Sequence, residues 1–114
     1  MQVMTTLPQE NLNDVPQAAR NAEMVGFDMI ATMENRYEPF MPLAAAAIST
    51  KTINIGTAVA IAFPRSPMVV ASTCWDLNNA SGGRFVLGLG PQIKPHNEKR
   101  FSVPWSPPAP RIRE

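Results

Sequence analysis

The chain has 114 residues, 45% of them hydrophobic, 17% charged and 7% aromatic, with 10 Lys and Arg against 9 Asp and Glu. That is one small globular domain, and its near-neutral charge recommends neither a nucleic acid nor an anionic membrane as partner. One cysteine, Cys74, excludes an intrachain disulfide and favours a reducing, cytoplasmic setting. The opening MQVMTTLPQENLNDVPQ lacks the basic and apolar regions of a signal peptide, and no run approaches the ~18 apolar residues of a membrane helix.

Gln2–Thr5 reads as a short first strand. Asp14 reads as an N-cap with Pro16 in the first turn, and Val15, Ala18, Ala19, Ala22 and Val25 then recur at helical spacing. Gly26 stands where a helix-ending glycine belongs, and Phe27–Thr32 follows as an apolar strand. Pro42 opens a second helix, Leu43–Ser49. Residues Ile53–Val59 form a β-branched third strand. Ser66 and Pro67 are N-cap and first residue of a third helix that runs to about Ala80 and stops at Ser81-Gly82-Gly83. Arg84–Gly90 is the fourth strand. Residues 1–90 are thus expected to be regular. Residues 91–114 hold six of the twelve prolines and a net charge of +3, and read as an extended basic loop.

A β-α-β-α-β-α-β order with short breaks predicts parallel strands and right-handed crossovers. Two α/β architectures fit: an open doubly wound sheet, and the first half of a (β/α)8 TIM barrel with strands in the order 1-2-3-4. In both, ligands collect where the strands end. After the second strand stand Glu34 and Glu38, read either as a general acid/base pair or as solvated and helix-capping carboxylates. After the third comes an apolar loop, Ala58 to Pro64, suited to the face of a flat ring or to a plain hydrophobic lid. Arg65 follows, to bind an anion or pair with a carboxylate. Gly88-Leu89-Gly90 does not complete GxGxxG, since Ile93 occupies the third glycine position. His96 is the single histidine, so zinc is not expected. It is either catalytic or a surface hydrogen-bonder. Cys74 reads as a buried, inert thiol.

The runs Ala58-Val59-Ala60-Ile61-Ala62-Phe63-Pro64-Arg65-Ser66-Pro67, Trp75-Asp76-Leu77 and Ser81-Gly82-Gly83-Arg84-Phe85-Val86-Leu87-Gly88-Leu89-Gly90 resemble the bacterial luciferase-like monooxygenase superfamily. The likeness leans to its deazaflavin (coenzyme F420)-dependent branch and extends to His96, Lys99-Arg100-Phe101 and Trp105-Ser106-Pro107-Pro108. The resemblance implies the barrel, and a chain that is its N-terminal part, ending where a fourth helix begins. It implies cofactor contacts at Thr32, Thr57, Ala58, Val59, Gly90 and Gln92, with a non-proline cis peptide near Ala58-Val59. Glu34 and His96 become the candidate catalytic groups. Tyr37-Glu38 and Pro91 depart from that branch's pattern, where His-Asp and Thr are expected. The implied activity is hydride transfer between coenzyme F420 and an organic small-molecule substrate, in a protein that forms a homo-oligomer at full length. The alternatives are an FMN-dependent monooxygenase and a non-catalytic remnant. The 114 residues alone are expected to be inactive.

Overall fold

Four short strands lie parallel in a computed structural model that describes residues 1–114: β1 (Met4–Thr6), β2 (Met29–Thr32), β3 (Asn54–Thr57) and β5 (Phe85–Val86), in the order β1-β2-β3-β5. Thr5 stands beside Ile30, Ile30 beside Ile55, and Ile55 beside Phe85. A second pair, β4 (Ala60–Ile61) and β6 (Leu89–Gly90), continues the third and fourth strands past a break in each, also in parallel. The helices α1 (Val15–Val25), α2 (Phe40–Ser49) and α3 (Pro67–Ala80) connect successive strands, α1 packing on α2 and α2 on α3. The fold is the first half of a (β/α)8 barrel.

The core lies between this helical layer and the sheet. Val15, Ala19 and Ala22 meet Leu43, Ala46 and Ala47 over Ile30, Ile55 and Leu77. The alanines at i, i+3 and i+4 let the helices approach closely, while each fully buried Leu or Ile contributes about 1.5–3 kcal/mol. Gly26 ends α1 at φ 97°, where a side chain would be strained, and its N–H donates to the carbonyls of Ala22 and Glu23.

Several expectations are corrected. Asp14 stands at the N-cap of α1 as expected but makes no side-chain cap bond; a 3-10 turn, Leu12–Asp14, precedes the helix and is capped by Asn11, whose Oδ1 accepts from the Asn13 N–H at 3.1 Å. Helix α2 begins at Phe40, ahead of Pro42, because Glu38 Oε2 accepts from the N–H groups of Phe40 (2.7 Å) and Met41 (2.8 Å). The third and fourth strands are each interrupted. The stretch 91–114 is not a continuous loop: it holds α4 (Lys94–Arg100) and α5 (Pro108–Ile112). Pro95 and Pro108 sit in first turns, where no backbone N–H is needed, and Lys99 and Arg100 suit the C-terminal end of α4.

Candidate functional site

The breaks in the third and fourth strands face each other. At the first, Ala58-Val59 is a cis peptide, as the resemblance implied. At the second, Gly88 presents both backbone groups to one side chain: Thr57 Oγ1 donates to the Gly88 carbonyl at 2.7 Å and accepts from its N–H at 2.9 Å. A Cβ on Gly88 would stand 2.2 Å from the Thr57 carbonyl oxygen, and one on Gly90 would stand 2.7 Å from Val59 Cγ2. Gly88 is therefore required by close approach of backbone, whereas a side chain at Gly90 would displace the Val59 methyl. Beyond the breaks the ladder resumes, Ala60 N–H to the Gly88 carbonyl and Ala62 N–H to the Gly90 carbonyl, both at 2.9 Å.

The step opens a cleft of about 230 Å³ across the strand ends, lined by Met33, Glu34 and Asn35 after β2, Ala58, Val59 and Ile61 around the break, and Gly90, Pro91 and Gln92 after β6. Of the expected site residues, Glu34, Ala58, Val59, Gly90 and Gln92 come together here. Thr32 and Thr57 are buried beneath it with their hydroxyls spent, Thr32 Oγ1 donating to the Pro39 carbonyl at 2.7 Å. His96 lies exposed on α4, outside the lining. Val59 is 44% exposed and forms the apolar wall.

Glu34 is 5% exposed. Its Oε2 accepts from the Ile61 N–H and from Arg65 Nη1, both at 2.6 Å, and its Oε1 accepts from Arg65 Nη2 at 2.9 Å. Its own N–H donates to the Val59 carbonyl at 3.3 Å. Arg65 also donates to the Ile61 carbonyl at 2.8 Å, reaches Glu38 at 3.3 Å, and lies over the Phe40 ring at 5.3 Å. Of the two readings of Arg65, the structure shows the carboxylate pair. Glu38 both caps α2 and joins that pair.

Sequence reasoning missed Met33, Asn35 and Pro91 as lining residues, while Ile61 belongs to the apolar loop it offered to a ring. It also missed that Arg100 Nη1 donates to the Asn35 carbonyl, tying α4 to the cleft's rim. For the missed lining residues the available signal was positional: Met33, Asn35 and Pro91 each follow a strand end within three residues. A larger cavity, about 290 Å³, lies apart from the strand-end step, between α3, Leu87, Leu89 and α5. Cys74 lines it, and burial raises that thiol's pKa above its ordinary value.

The model of the luciferase-like monooxygenase family matches residues 1–114. The chain belongs to that family. An uncharacterized protein of Mycobacterium tuberculosis is 53% identical over 97 residues, which are 85% of this chain and 28% of that protein. The coenzyme F420-dependent tetrahydromethanopterin reductase of Methanopyrus kandleri superposes with a TM-score of 0.77 at 27% identity, covering 87% of this chain and 29% of that one. The oxygenating constituent of 3,6-diketocamphane monooxygenase from the CAM plasmid of Pseudomonas putida, in complex with FMN, superposes at 0.76 with 19% identity, over 91% and 33%. This last likeness is one of fold. The chain thus spans about 28% of the length of the curated relative it matches. No helix is long and apolar enough to cross a membrane.

Proposed function

We propose that this luciferase-like chain supplies the ring-binding wall of an oxidoreductase in which the deazaflavin coenzyme F420 exchanges a hydride with an organic small-molecule substrate. The observation that carries this is the cleft at the paired strand breaks. Its floor is backbone and glycine, its wall is Val59, and the threonine hydroxyls beneath it are turned to protein partners. A flat, largely apolar ring fits such a surface, because the hydroxyls of Thr32 and Thr57 beneath it are already satisfied by protein partners. Val59, Ala58 and Gly90 would bear on the ring face, and Gln92 would reach its polar edge. When bound, the deazaflavin supplies the hydride chemistry. The chain's own part is to orient the ring and keep water off one face. The F420-dependent neighbour at 27% identity favours the deazaflavin over FMN.

The test is an absorbance titration with coenzyme F420 and with FMN. The protein to use carries residues 1–114 in place of the segment they match in the Mycobacterium tuberculosis relative. A 1:1 complex with F420 of micromolar or better affinity is expected, and the 114 residues alone should bind neither cofactor at that level. Binding of FMN alone would turn the reading to an oxygen-activating monooxygenase. Binding of neither would contradict it.

A further inference from the structure

We propose that Glu34 and Arg65 are positioning residues that fix the Val59 wall of the cleft, and that the pair, rather than either charge alone, sets how well a ring seats there. The inference rests on the reading of the cleft as a ring site. Glu34 grips the chain where it leaves the strand break. Its N–H holds the Val59 carbonyl, and its carboxylate holds the Ile61 N–H two residues on. Val59, whose side chain forms the wall and rests on Gly90, immediately precedes the first hold, and Ala60 spans the two.

Arg65 makes the grip rigid. The two side chains meet through both carboxylate oxygens and both terminal guanidinium nitrogens, with only 4% and 17% of their side chains exposed. Such a fork-to-fork pair fixes orientation as well as distance. The Ile61 carbonyl takes a further Arg65 N–H, so the backbone of Ile61 is held at its N–H by Glu34 and at its carbonyl by Arg65. With both its oxygens occupied, Glu34 is read here as a positioning residue and not as a proton donor. Lysine cannot reproduce the fork, since it offers one point charge.

The variants Glu34→Gln, Arg65→Met, Arg65→Lys and the Glu34→Gln/Arg65→Met double test this. Lys94→Gln on the surface of α4 serves as the control. Two readouts are needed. In the 114-residue chain, NMR follows the Ile61 amide and the contact between the Val59 methyls and Gly90. In the protein completed with the relative's remaining length, fluorescence titration gives the F420 dissociation constant. Arg65→Met and Glu34→Gln are each expected to displace the Ile61 amide signal, weaken the Val59–Gly90 contact and raise the dissociation constant about tenfold. The double variant should be no worse than the worse single, the mark of groups acting as a unit. Arg65→Lys should restore less than half of the loss, and it carries the same readouts where Arg65→Met does not fold. An unchanged Val59–Gly90 contact, or purely additive losses, would overturn the proposal. If the unaltered protein binds no ring, the ring-site reading falls, and the Val59–Gly90 contact alone then decides for or against the clamp.

Discussion

The two ends of the sheet use charge in opposite ways. At the end where the strands begin, Arg84 stands alone among backbone acceptors. It donates to the carbonyls of Ser81 (2.6 Å), Ile53 (2.6 Å), Ala47 (3.1 Å) and Thr50 (3.1 Å), and to the Thr50 hydroxyl (2.9 Å). Glu23 mirrors it: one carboxylate oxygen accepts from the N–H groups of Lys51 (2.9 Å), Thr52 (2.6 Å) and Ile53 (3.0 Å) and from the Thr52 hydroxyl (3.0 Å). These two residues close the floor by satisfying loop backbone that helices and strands leave unpaired. At the other end, the charges of Glu34 and Arg65 satisfy each other, with Glu38 beside them, and hold the backbone of Ile61 alone, so a cleft remains beside them. Polar groups at the floor are spent on stability. At the mouth they are spent on shape, and that is the division expected of a parallel barrel.

Breaking the floor should therefore cost fold and not ring affinity. Arg84→Met removes five donors from partly buried acceptors and should lower unfolding free energy by about 3–4 kcal/mol, read as a shifted urea midpoint at constant slope. The F420 dissociation constant of the folded fraction should stay within twofold.

The smaller floor effect is one of pH. The Glu23 carboxyl is held down to about 2 from an ordinary 4.5, chiefly by the Thr52 N–H; burial opposes this, and the Ile53 and Lys51 N–H groups and the Thr52 hydroxyl outweigh it together. A carboxyl with a lowered folded pKa contributes fully above its unfolded value and loses that contribution as pH falls toward the folded one. Stability should thus decline between pH 4.5 and about 2. Glu23→Gln should flatten that part of the profile, with about 1 kcal/mol lost at pH 7 because the site faces solvent. Urea midpoints at pH 7, 4 and 3 measure both.

Much of this fold was legible in the chain. Helices α1 and α3 followed from Val15-Ala19-Ala22 spacing and from Ser66-Pro67, because local periodicity and terminal residues settle them. The tail helices were not, since Pro95 and Pro108 look the same whether they begin a helix or prevent one. The step in the third and fourth strands was legible only through the family resemblance. Composition shows an unbroken β-branched run at 53–59, whereas the break depends on Gly88 and Thr57 meeting across 31 residues of sequence. The Glu34–Arg65 pair hid for the same reason. Each residue follows a different strand, and only the parallel register brings the two ends together. Glu38 as a helix cap was weighed from sequence and is seen in the structure.

The most direct measurement concerns Val59, the wall itself, which is 44% exposed and so tolerates a larger side chain without repacking the core. Val59→Trp fills the cleft from inside. Coenzyme F420 is titrated into this variant and into the unaltered protein, each completed with the relative's remaining length, while the urea midpoint of each is recorded. The expected result is at least a tenfold rise in the dissociation constant with the midpoint unchanged, the reverse of the pattern for Arg84→Met. Equal affinity in the two proteins at equal stability would mean that the ring lies elsewhere, and would contradict the assignment of this cleft.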